Sequence, residues 1–97
     1  MTAEHDGTTY RLVADGVRSS LSDGPPMLWG FEVRVIDGDR TVGVKTCFVS
    51  RVSVQARNPE ALDAPGEILY PVLHELAYEK VAAAVREGDV GDELVFA

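Results

Sequence analysis

Between Val72 and Arg86 apolar residues recur at a helical period, and the run is introduced by Ile68-Leu69-Tyr70-Pro71. Proline has no amide N–H to give and holds φ near the helical value, so it suits the first turn of a helix. The pattern predicts a helix that begins near Pro71, is anchored by Ile68, Leu69 and Tyr70, and is closed by Gly88 as C-cap. At about 100° per residue, Leu69, Val72, Leu73, Leu76, Ala77, Val81, Ala83, Ala84 and Val85 cover roughly 220° of its circumference. Glu75, Glu79, Ala82 and Arg86 are left as the solvent side. One sheet face needs a stripe only about 100° wide, so the excess predicts a second packing surface. The small Ala77, Ala83 and Ala84 would let another helix approach closely. Ala77, Val81, Ala84 and Val85 are therefore the candidate residues for contact between copies of the chain.

Upstream of the helix the period changes from 3.6 to 2. Trp29, Phe31, Val33 and Val35 alternate with Gly30, Glu32 and Arg34, and Val42, Val44, Thr46 and Phe48 alternate after Asp37-Gly38. That dipeptide is a hairpin signal, and a two-residue turn there puts Val33 opposite Val42 and Phe31 opposite Val44. The expected core pairs Trp29, Phe31, Val33, Val42, Val44 and Phe48 on one sheet face with Leu69, Leu73, Leu76 and Ala77 of the helix. Alternation through Val52, Val54 and Ala56 predicts that the strand runs on past Val49 to about Gln55. Thr8 to Val17 reads as a weaker strand with Tyr10, Leu12 and Ala14 on one side. Ser19 to Pro26 is loop chemistry, Asn58-Pro59-Glu60 a short helical turn, and Asp92 to Phe96 a short strand or docked tail. The fold class is α+β: an antiparallel meander of three or four strands followed by one long helix, in a single domain over residues 1–97.

Composition narrows the functional classes. The 97 residues carry a formal charge of −7 with nine Lys and Arg that form no cluster, which disfavours nucleic acid as a partner. No apolar run approaches the roughly 20 residues of a membrane span, and the first residues lack the basic start and apolar core of a signal peptide. The expectation is a soluble, cytoplasmic protein without membrane insertion. Cys47 is the only cysteine, so neither an internal disulfide nor a multi-cysteine zinc site can form.

The residues with chemistry to offer do not assemble a reaction. His74-Glu75 opens an HExxH zinc signature, but Tyr78 stands where the second histidine is required. His74 is read as a packed side chain beside Tyr78, and His5 as part of a disordered start. Lys80, near the middle of the apolar arc, is read as a lysine that snorkels to the rim. Cys47, opposite in phase to Thr46 and Phe48, is read as a small hydrophobe, and Asp37 and Asp39 as turn residues. No cofactor or metal is expected, and the chain is not read as an enzyme. Met27, Leu28 and Trp29 emerge from the Pro25-Pro26 loop as a candidate binding lip. Trp29 is in phase with the core, and Leu28 is out of phase and so the better candidate for an exposed contact.

Pro65-Gly66-Glu67-Ile68-Leu69-Tyr70-Pro71 and the helix through Glu75 to Arg86 resemble the start of the long helix in SecB-type export chaperones. The resemblance covers about Ala64 to Gly88. It implies a four-stranded antiparallel sheet before the helix, assembly into a homo-oligomer (dimer or tetramer), and nucleotide-independent holding of unfolded polypeptide clients in apolar grooves. The chain departs from that family in having no second helix after the long one and no acidic tail, and the second helix helps to wall the client groove. A self-assembling interaction domain, and a small-ligand binder or enzyme using His74 and Lys80, are the alternatives.

Overall fold

The computed structural model describes residues 1–19, 27–63 and 66–97, so the expected loop over residues 20–26 and the break at Ala64-Pro65 lie outside the described residues. Five strands form one sheet in the order β1 (Thr2–His5), β2 (Thr8–Ser19), β3 (Leu28–Asp37), β4 (Arg40–Ser50) and β5 (Glu93–Phe96). β1 to β4 are antiparallel to their neighbours in chain order, as a meander requires, whereas β5 joins β4 in parallel. Between β4 and β5 come α1 (Arg51–Arg57), a 3-10 turn (Pro59–Asp63) and α2 (Gly66–Arg86). The fold is thus α+β, with a mixed and curled sheet in place of a purely antiparallel one.

The first hairpin corrects the reading of the chain start as disordered. Asp6 and Gly7 take φ of 50° and 82°, both positive, as a two-residue type I′ turn demands, and His5 pairs with Thr8 across it. The His5 ring then reaches the end of α2, its Nδ1 3.0 Å from the Arg86 carbonyl oxygen.

The second hairpin turns one residue later than expected. Gly38 and Asp39 form the turn, Gly38 with φ 65°, and Asp37 pairs with Arg40. Ile36 pairs with Thr41 but Val35 pairs with Gly43, so Val42 is skipped as a bulge. Val33 therefore sits opposite Lys45 and Phe31 opposite Cys47, a displacement of three residues from the expected register. Because side chains alternate with a period of two, an odd displacement exchanges the two faces of β4. Gly43, Lys45, Cys47 and Val49 are buried toward the helices; Val44, Thr46 and Phe48 face the other way, half-buried. Trp29, Phe31 and Val33 do enter the core as expected, whereas Val42 packs only at its rim.

β4 stops at Ser50, and the expected strand extension through Val52 and Val54 is helix. The Ser50 side chain accepts the Ser53 N–H at 3.1 Å as N-cap of α1, which buries Val54 and leaves Val52 exposed. The short helical turn after Asn58 is the observed 3-10 segment.

α2 starts at Gly66, five residues before Pro71, so the proline lies inside the helix and Ile68 and Tyr70 are exposed instead of anchoring it. Only Leu69 of that trio packs against the core. Gly88 ends the helix as expected, with φ 95°: its N–H reaches Val85 O at 2.9 Å and Asp89 N–H reaches Ala84 O at 3.0 Å, the paired bonds of a Schellman motif. The helix touches all five strands, and α1 and the 3-10 turn besides. Its buried residues are Val72, Leu73, Ala77, Val81, Ala82 and Val85. Ala82, expected on the solvent side, is fully buried, and Ala83 is exposed.

Phe31 is 2% exposed and lies edge-on to His74, with ring centroids 5.2 Å apart. Phe31→Ala is expected to lower unfolding free energy by about 3–5 kcal/mol in denaturant titration. Arg57 joins α1 to α2 through Glu75 at 2.6 Å and Glu79 at 2.6 Å. Its hydrogen bond holds the Glu79 carboxyl below the ordinary value of 4.5. A depressed carboxylate stabilises the folded state above the unfolded-state value and loses that contribution as pH falls through the folded one. Acidification below about pH 4.5 should therefore narrow the gap in thermal midpoint between wild type and Glu79→Gln, with the gap small throughout because the pair is exposed.

Candidate functional site

The helices occupy one side of the sheet and leave the other open. Inter-strand pairing arranges that open face in rows: Asp15, Glu32, Thr46 and Leu94 in one, Gly30, Phe48 and Phe96 in the next, then Leu28 beside Ser50. Phe48 and Phe96 stack with centroids 5.6 Å apart and ring planes 22° from parallel. Gly30 offers no side chain opposite Phe48, and Leu28 is its diagonal neighbour across the β3–β4 ladder. Leu28, Phe48, Phe96 and Leu94 thus form a continuous apolar stripe, with Leu94 and Phe96 62% and 64% exposed. Met27 extends it at one end, its carbonyl accepting the Arg51 N–H at 2.9 Å.

Underneath the stripe lies Lys45, the one fully buried charged residue among those described. Its ammonium donates to Gly91 O at 2.9 Å, Glu93 Oε2 at 3.1 Å and Asp89 Oδ1 at 3.3 Å. Three acceptors match its three donors, which is the condition under which a buried ammonium is tolerated. Asp92 Oδ1 accepts the Val44 N–H at 2.8 Å in addition. The segment leaving α2 is in this way tied to β4, and a Cβ on Gly43 would overlap the Val90 carbonyl oxygen. β5 follows at once, with Val95 buried beside Cys47.

Of the candidate lip, Met27 and Leu28 are exposed at 54% and 39%, while Trp29 is buried in the core. Of the candidate contact residues on α2, Ala77, Val81 and Val85 are fully buried within the chain itself and Ala84 is half-buried. The wide apolar arc of α2 is consumed by the curled sheet and by the flanking α1 and 3-10 turn. His74 packs between Phe31 and Tyr78, with centroids at 5.2 and 6.3 Å. The Tyr78 hydroxyl accepts the Ala14 N–H at 2.9 Å, where β2 has run past β1. Lys80 is exposed and about 120° around α2 from His74, so the two do not converge. Cys47 is buried in the core, and burial pushes its thiol up to about 11.

Phe48, Leu94 and Phe96 are the site residues that the sequence reading did not single out. A signal for two of them was present: Leu94-Val95-Phe96 is apolar throughout, and a strand cannot turn three successive side chains to one face. No family model matches the chain, and neither a curated protein nor a solved structure matches it.

Lys45→Ala removes three charge-assisted bonds but strands only half-exposed partners, so it is expected to cost about 2 kcal/mol. Hydrogen exchange should localise the effect, with the amides of residues 93–97 accelerating more than those of β2 and β3.

Proposed function

We propose that this chain is a non-enzymatic, chaperone-like protein-binding module that holds apolar stretches of non-native polypeptide on the open face of its sheet. The observation that carries the reading is the continuous stripe of Leu28, Phe48, Phe96 and Leu94, extended by the exposed Met27. Single exposed apolar side chains are ordinary on a protein surface, but a contiguous group that includes stacked aromatic rings is the pattern of an interaction site. Unbranched Met27 adapts to irregular partners. The net charge of −7 keeps a chain with such a patch dispersed and disfavours acidic clients. The role agrees with the one implied by the SecB-type resemblance, but it is supported here by a different surface: the sheet face and not a groove beside the helix. Self-assembly through the same stripe is the competing reading, because the patch has no means of excluding its own copy other than charge.

The test is suppression of light scattering by a chemically unfolded client diluted into the protein without nucleotide. Wild type should slow aggregation at micromolar concentration, and Leu28→Asp and Phe96→Asp should each weaken the effect while leaving the thermal midpoint nearly unchanged, since both side chains are exposed. Absence of client binding at concentrations well above micromolar would reject the reading. Loss of activity that follows loss of folding in every variant would reject the assignment of the stripe.

A further inference from the structure

We propose that β5 is a docking edge, and that the polypeptide held by this protein adds to the sheet as a sixth strand alongside it, with apolar side chains at alternate positions and a lysine or arginine against Asp92 and Glu93. The proposal rests on the protein-binding reading above and specifies how and what it binds.

β5 ends the strand order, so one side of it pairs with no strand among the described residues. On the other side, Ala97 uses both backbone groups toward β4: its N–H reaches Phe48 O at 2.8 Å and its C=O accepts from Ser50 N at 3.0 Å. In a parallel ladder alternate residues turn their N–H and C=O to the same neighbour. Val95 and Glu93 therefore face β4 as Ala97 does, and Leu94 and Phe96 turn their backbone groups to the open side. These same two residues bear the most exposed side chains of the stripe. An added strand would find its hydrogen-bond partners and its apolar contacts in the same two residues, the combination that strand addition uses for affinity and for side-chain selection.

Edge strands are ordinarily blunted by lysine, proline, a bulge or a covering loop. Leu94 to Ala97 contain neither a charge nor a proline, and the register with β4 runs unbroken from Glu93 to Phe96. The edge is also held in place, since Lys45 and the Asp92 to Val44 bond fix the segment that leads into it. Charge selects the occupant. Asp89, Asp92 and Glu93 stand at the start of β5 against the single charge of Lys45, and a second copy would bring another net charge of −7 to the same edge. A foreign extended segment carrying a cation meets attraction where a second copy meets repulsion.

The test uses wild-type protein and three synthetic decapeptides of alternating isoleucine and threonine with a lysine at each end: one unmodified, and two N-methylated on alternate amides in opposite phase. Only one phase deletes the N–H groups that would face β5. That peptide should bind at least about tenfold more weakly than the unmodified one by fluorescence polarisation, and the opposite phase should bind within about threefold of it. Leu94→Pro removes an outward N–H while sparing the ladder with β4, so it should retain the wild-type melt and lose binding by a similar factor, whereas Leu94→Val retains binding. Replacing the terminal lysines by glutamate should weaken binding at low salt. Equal binding by both methylated phases, together with retained holding of unfolded client, would overturn the docking edge and leave the open-face reading standing. Failure of every peptide and of unfolded client to bind would remove both. A dimer whose mass is unchanged by the peptide would show the edge taken by a second copy and would also overturn the proposal.

Discussion

The pairing of β3 with β4 decides the character of both faces of this sheet. An even displacement from the expected register would have kept Val44 and Phe48 in the core; the turn at Gly38-Asp39 and the skipped Val42 together displace it by three. One consequence is a lysine in the core. The other is a phenylalanine on the open face. Burial of Lys45 then constrains the rest of the chain, because an ammonium taken out of water needs its donors satisfied. Asp89, Gly91 and Glu93 meet that need, and in doing so they bring the segment after α2 back to β4 and set β5 beside it. With Glu93 and Val95 drawn inward by Lys45 and Cys47, Leu94 and Phe96 can only point outward, next to Phe48.

The same economy explains the helix. A flat sheet would cover only part of the apolar circumference of α2, but a strongly twisted and curled one wraps farther round. All five strands reach the helix, and its last turn is gripped from both sides, by His5 of β1 at the Arg86 carbonyl and by Lys45 of β4 at Asp89. Arg57 holds α1 against the flank that carries Glu75 and Glu79. An arc too wide for one sheet face is thus fully used by one chain, which is why Ala77, Val81 and Val85 are core residues and not surface available to a second copy.

What could be read from the sequence was what local chemistry determines. The alternation of β3, the inward set Tyr10, Leu12 and Ala14 of β2, the Pro59 turn, the Gly88 cap and the existence of a final strand all follow from patterns a few residues long. The face of β4 did not, because two alternating sets compete there: Val42, Val44 and Phe48 are more apolar than Gly43, Lys45, Cys47 and Val49, and only the turn position and bulge decide between them. Asp6-Gly7 carried the same hairpin signal as Asp37-Gly38, and β1 was missed because it is short and its only apolar residue is Ala3. Ser50 followed by Ser53 marked a helix start inside what periodicity read as strand. Pro71 misled because a helix tolerates proline just beyond its first turn when that position is exposed, at the loss of a single backbone bond.

A chain built only for stability would exchange these two placements, setting Phe48 inside and Lys45 outside. The observed arrangement carries the desolvation of a buried ammonium, offset by three acceptors, and leaves the Phe48 and Phe96 rings facing water. Departures from the hydrophobic pattern are expected where function, and not folding, sets the requirement. Here both departures arise from one register and fall at one corner of the sheet, on adjacent strands, beside an edge without blunting residues. That coincidence distinguishes the stripe from Met1, Val52, Ile68 and Tyr70, which are comparably exposed but share no row of the sheet with one another. Scattered exposure needs no explanation. Exposure gathered on an open edge, and held there by the most deeply buried charge among the described residues, is the form that an interaction surface takes.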